Sequence, residues 1–174
     1  QELNGAPSIN VGIGINTGRM MLGTLGESDR IEGSVISDAV NLASRLEGLT
    51  KRYGSKIIIS EYTFDQLDLD KIACREIDSV VVKGKYRPVK IFEVIDGDHP
   101  DIARSKRDGM AQFNKAIFLY KNQNFIEARD LFMTILARAK NDNIAKLYLD
   151  RCERLLEEGW DPKTWDSVER LESK

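Results

Sequence analysis

From Ile9 to Asn16 apolar residues alternate with small or polar ones, and Ile9, Val11, Ile13 and Ile15 fall on one face. A period of two predicts a strand. Asn16-Thr17-Gly18 signals a turn, and Met20 to Leu25 reads as the hairpin partner of that strand. Gly12 and Gly14 leave the opposite face bare, which marks a close approach by either a packed helix or a ligand. A polar connection, Glu27 to Gly33, leads to the strand-like Ser34-Val35-Ile36. From Ser37 or Asp38 to about Tyr53 the period becomes helical, with Leu42, Leu46, Leu49 and Tyr53 forming one apolar stripe. Asn41, Arg45 and Arg52 form a second stripe, roughly 80–100° round at 3.6 residues per turn. Lys56 to Ser60 is a short β-branched strand. Ser60-Glu61-Tyr62-Thr63-Phe64 then combines an N-cap with an acidic first turn, opening a short helix toward Leu67. Arg75 to Lys83 and Val89 to Ile95 read as two strands joined around Gly84-Lys85-Tyr86-Arg87-Pro88.

The pattern changes near Asp96. Residues 97–107 are charged and contain Gly97 and Pro100, and they read as a linker after a first unit at 1–96. Beyond it, Phe113, Ala116, Ile117 and Tyr120, then Phe125, Ala128, Phe132, Ile135 and Leu136, keep helical spacing. A third helix from about Asn143 to Glu158 carries Ala145, Tyr148, Leu149, Cys152, Leu155 and Leu156. Small residues where helices approach resemble one tetratricopeptide unit of ~34 residues. One unit is too short for a solenoid groove, so residues 108–174 read as a capping or dimerisation appendage rather than a peptide receptor. Trp160-Asp161-Pro162-Lys163-Thr164-Trp165 reads as an extended tail docking its indoles on those helices.

Composition narrows the classes. The chain has 174 residues, 41% hydrophobic and 31% charged, with a net charge of −2. That is the balance of a soluble domain with no electrostatic bias toward nucleic acid or an acidic membrane. No apolar run approaches the ~18–20 residues that span a bilayer, and no signal-peptide pattern opens the chain. Cys74 and Cys152 lie far apart without metal-type spacing, which fits a reducing, cytoplasmic setting. The single histidine, His99, sits in a polar stretch, so histidine-based catalysis is not expected. The chain begins with Gln1, as an excised fragment would.

Asn41 and Arg45 lie one turn apart on one helix face. Asparagine is a poor mid-helix residue because its side chain competes for backbone groups, and its place beside an arginine fork points to a role outside helix stability. Three further segments stand in order around that pair: Val11-Gly12-Ile13-Gly14-Ile15-Asn16-Thr17-Gly18, Met21-Leu22-Gly23-Thr24-Leu25-Gly26 and Val82-Lys83-Gly84-Lys85. Together they resemble class III nucleotidyl cyclases over Ile9 to Asp96, a little over half of the chain. The resemblance implies an α+β, ferredoxin-like domain lacking its first strands, with conversion of a nucleoside triphosphate to its 3′,5′-cyclic monophosphate and pyrophosphate.

It also implies roles. Arg45, a permanently charged planar fork, corresponds to the residue that stabilises the transition state at the α-phosphate. Asn41 corresponds to the residue that holds the ribose. Lys83 and Lys85 flank the permissive Gly84 and suit the β- and γ-phosphates. Base choice rests partly on Ser34, whose hydroxyl suits ATP without excluding GTP. Gly33, Ser37 and Asn16 stand where the family usually has an aromatic residue, a glycine and a histidine. The family's two metal-binding aspartates, which hold Mg²⁺ or Mn²⁺, and a second base selector are expected upstream of residue 1. The reading is therefore the C-terminal part of a bacterial-type adenylate cyclase, inactive alone, acting in a homodimer or with a complementing cyclase chain. The alternative is a degenerate cyclase-homology domain that binds nucleotide or mediates dimerisation.

Overall fold

A strand without side chains on one face lets a helix rest on its backbone. That is the arrangement at Gly12 and Gly14 in the computed structural model, which describes residues 11–25, 32–81 and 87–170. A Cβ on Gly14 would lie 2.2 Å from the Glu47 amide nitrogen and 2.3 Å from the Ala43 carbonyl oxygen, and one on Gly12 would lie 2.0 Å from the Thr50 hydroxyl. Helix packing therefore accounts for the bare face. The strand, β1 (Ile13–Ile15), and the helix, α1 (Asp38–Tyr53), are both where the periodicity predicts. Leu42, Leu46, Leu49 and Tyr53 are all buried. Ser37 caps α1, accepting from the Ala39 amide at 3.0 Å, and Gly54 ends it with a left-handed φ of 61°, a conformation that favours glycine.

The hairpin expected between the first strand and Met20–Leu25 does not form. β1 pairs in parallel with β4 (Ile57–Ser60), while β2 (Met21–Leu25) pairs antiparallel with β3 (Glu32–Ile36) in a separate two-stranded sheet. The physical reason lies in residues 16–19, whose polar groups bond to the start of α1 and to β4 instead of closing a tight turn. α2 (Glu61–Phe64) follows β4, with Ser60 as its cap. β5 (Cys74–Val81) and β6 (Val89–Val94) pair antiparallel as predicted. The main sheet runs β1-β4-β6-β5-β7, where β7 (Glu169–Arg170) is a parallel edge strand from the tail that the pattern does not reveal.

The 97–107 connection is ordered. After a 3₁₀ turn (Ile95–Gly97), α3 (Pro100–Asp108) begins on proline, which suits a first helical turn, and buries Ala103 and Lys106. The three predicted helices follow as α4 (Met110–Lys121), α5 (Phe125–Arg138) and α6 (Asn143–Glu158). They pack on one another, and one hydrophobic core continues from Leu42 and Ile58 through Phe113 and Phe132 to Tyr148 and Cys152. The tail indoles dock as expected: Trp165 packs edge-on against Tyr120 and Phe125, and Trp160 against Phe125.

Charged groups cross the same boundary. Arg75 on β5 donates from Nε to Glu93 at 2.6 Å and from both terminal nitrogens to Asp142 at 2.7 and 2.8 Å, with its guanidinium 3.8 Å from the Phe113 ring centre. Lys106 bonds Glu93 at 3.1 Å and Asp98 at 2.7 Å. Among the described residues no buried side-chain nitrogen or oxygen lacks a partner. Buried networks of this kind specify how elements meet more than they add net stability.

Candidate functional site

α1 carries the two residues singled out by the sequence. Asn41 is exposed and Arg45 half-buried, one turn apart on the flank beside the buried leucine stripe. A side chain on a helix is placed only as well as the helix itself, and both ends of α1 are held. At the start, Asn16 Nδ2 donates to the Ala39 carbonyl at 3.0 Å, while Asn16 Oδ1 accepts from the Ser60 hydroxyl at 2.7 Å. The Ser37 hydroxyl donates to the Arg19 carbonyl at 2.7 Å. A Cβ on Gly18 would sit 2.8 Å from that of Ala39, so the turn lies directly against the first turn of α1. Asn16 thus ties β1, β4 and α1 together two residues before Asn41. The only hint of this in the sequence is a polar residue ending an apolar strand.

At the far end, Tyr53 is fully buried and donates its hydroxyl to Asp78 Oδ2 at 2.7 Å. Arg151 of α6 donates to the same oxygen at 2.8 Å and to Glu169 of β7 at 3.0 Å. The other Glu169 oxygen pairs with Arg52 of α1. Burial, then the Asp78 carboxylate, pushes the Tyr53 hydroxyl well above its ordinary value, so it remains a donor. Burial alone would lower the Arg151 pKa, but Asp78 reverses this and holds it above the usual guanidinium range. A register shift between Glu76 and Asp78 makes this possible. It buries the adjacent residues Ile77 and Asp78 together, as a bulge does when it re-aims a side chain. Simple alternation hides Asp78 for that reason.

The remaining predicted positions are distributed as follows. Ser34 lies in β3, paired with Gly23 of β2, and β3 runs straight into the cap of α1. Lys83 and Lys85 lie outside the described residues; β5 ends at Val81, two positions before Lys83. Asp38 occupies the exposed first turn of α1, where a carboxylate complements the helix dipole. Among the described residues no group of three or more His, Cys, Asp or Glu gathers to hold a metal ion. They offer no fit for magnesium or manganese. No described helix is long and apolar enough to cross a membrane.

Comparison with known proteins bears on this arrangement. Residues 2–95 match the family described as the adenylate and guanylate cyclase catalytic domain. A terminal-differentiation-specific adenylate cyclase of Dictyostelium discoideum is 38% identical over 83% of this chain and 7% of that protein. An adenylate cyclase of Anabaena cylindrica is 50% identical over 52% of this chain and 18% of its own length. Among solved structures, the adenylyl cyclase CyaB from P. aeruginosa aligns at 39% identity and a TM-score of 0.41, covering 49% of this chain and 42% of that one. The chain therefore spans under a fifth of the two curated relatives. The Dictyostelium alignment runs past the family match into the helical region.

Proposed function

The chain belongs to the adenylate and guanylate cyclase catalytic domain family, and we propose that it is part of an adenylate cyclase converting ATP to 3′,5′-cyclic AMP and pyrophosphate. In this reading the 3′-oxygen of the ribose attacks the α-phosphorus in line with the leaving pyrophosphate. A 3′-O–P bond forms, the bond to the β-phosphate oxygen breaks, and the hydroxyl proton passes to water. Charge grows on the α-phosphoryl oxygens, so the step depends on orientation and on cationic groups already in place. Asn41 orients the ribose and Arg45 meets the developing charge with a fixed fork of donors. Lys83 and Lys85 bind the β- and γ-phosphates, and Ser34 takes part in base choice.

The observation that carries this reading is the family match, with Asn41 and Arg45 on one flank of a helix held at both ends. Adenylate cyclases among the relatives favour ATP as substrate. Exposed apolar residues support a composite site: Val11 is 65% exposed, Met21 80%, and Ile13 and Ile15, on the face of β1 that α1 leaves uncovered, are exposed as well. We assign that face to a second cyclase chain, either another copy or a complementing one, which would bring the metal-binding part of the site. The helical region we read as one tetratricopeptide-like unit with an added helix, serving as a cap on the sheet.

The test is a cyclase assay on a chain extended upstream of residue 1, with ATP and GTP compared under Mg²⁺ and Mn²⁺. ATP turnover is expected there and none from the 174-residue chain alone. Arg45→Ala is expected to lower kcat on the order of 10²–10³ with little change in KM, because the lost donor acts on transition-state charge. Near-wild-type turnover in folded Arg45→Ala would leave the nucleotide-binding or dimerisation reading in its place.

A further inference from the structure

The tail touches both β5 and α1. Residues 160–170 leave α6, bury Trp165 against Tyr120 and Phe125, and finish as β7. There Glu169 stands in register with Val80 and Arg170 with Val81, at the end of β5 that leads into Lys83. The Glu169 side chain turns the other way, bridging Arg52 on the last turn of α1 and Arg151 on α6. Arg52 follows Arg45 by seven positions, two turns along the same flank. One short strand thus joins the end of β5 to the helix that carries Arg45.

We propose that Glu169 is a positioning residue for catalysis: the tail acts as a strap whose docking sets how α1, and Arg45 with it, sits against β5. This rests on the cyclase reading. α1 is a rigid sixteen-residue helix, and losing the bridge leaves Tyr53 and the buried leucines to resist a small roll of its last turn. A displacement of about 1 Å at a reacting group costs on the order of 10²-fold in rate, so a partial roll is enough to be felt at Arg45. The link lies in the third dimension only, since Arg52 and Glu169 are separated by 117 positions. The Dictyostelium relative, whose alignment continues into the helical region, fits a helical layer that belongs to the catalytic unit.

The test uses Glu169→Lys, which sets a cation between Arg52 and Arg151, and Arg52→Ala, which removes the helix end of the link. In the upstream-extended chain each is expected to lower kcat about tenfold, less than the ~10²-fold that a full 1 Å misplacement costs. KM is expected to stay within about twofold, since misplacing Arg45 affects mainly the transition state. The two together are expected to cost no more than the larger alone, as members of one link do. Wild-type kcat in both single variants would overturn the proposal even if Tm fell. Hydrogen exchange on the 174-residue chain gives a readout independent of turnover: Glu169→Lys should speed exchange in the last turn of α1 and at Val80–Val81. Unchanged exchange there would also overturn it. If the unsubstituted extended chain shows no cyclase activity, the cyclase reading fails and the exchange measurement alone decides whether the strap holds the helix.

Discussion

Arg75 commits its guanidinium entirely within the protein, to Glu93, to both oxygens of Asp142 and to the face of Phe113. Asp142 in turn caps α6 through the Ala145 amide, so one carboxylate serves the sheet and the helical layer. Burial alone would raise its pKa, but Arg75's hydrogen bonds and charge outweigh burial and hold it below the ordinary carboxylate range. A carboxyl depressed in the folded state contributes stability above its unfolded pKa and loses it as pH falls through the folded one. The urea midpoint is therefore expected to drop as pH falls below about 4, and Asp142→Asn should remove the part of that slope due to this group. Arg75→Ala, which leaves buried Asp142 without its cation and Glu93 with Lys106 alone, is expected to cost about 3–5 kcal/mol in urea unfolding. At this scale the sequence is legible where a pattern is local: Asn41 and Arg45 fall one turn apart on α1, as their spacing predicts. Arg75 and Asp142 lie 67 positions apart, and no spacing rule connects them.

Elements are easier to read than their pairings. Period and capping signals locate α1, α2, β4 and the three long helices, because each depends on neighbours three or four positions away. Partner choice depends on contacts distant in sequence. The glycine-backed β1 joins β4 rather than β2, and β7 is too short to announce itself. Gly14 tests the helix-on-strand contact directly. Gly14→Ala drives a methyl into the α1 backbone at Glu47 and Ala43. Relieving that means moving the helix, at an expected cost of about 1–3 kcal/mol from overpacking. Thermal unfolding reads the loss. Gly48, with no heavy atom within 4 Å of an added Cβ, is the control, and Gly48→Ala should be neutral or slightly stabilising in mid-helix.

Sheet and helical layer share one core and two buried ion networks. The chain should therefore unfold as a unit. Both tryptophans lie in the tail, at 160 and 165, so indole fluorescence reports strap docking while far-UV circular dichroism reports the whole. Their denaturation midpoints are expected to coincide, as two-state behaviour requires; an earlier fluorescence transition would show that the tail leaves first. The bridge from Arg52 to Glu169 also has a consequence in time. Its partners are 117 residues apart, and at about 5–20 residues per second a ribosome makes Glu169 roughly 6–23 s after Arg52. For that interval the nascent chain already holds the helix bearing Asn41 and Arg45 but not the strand that steadies it. A polypeptide halted between Arg52 and Glu169 would carry Asn41 and Arg45 without the contact that clasps their helix.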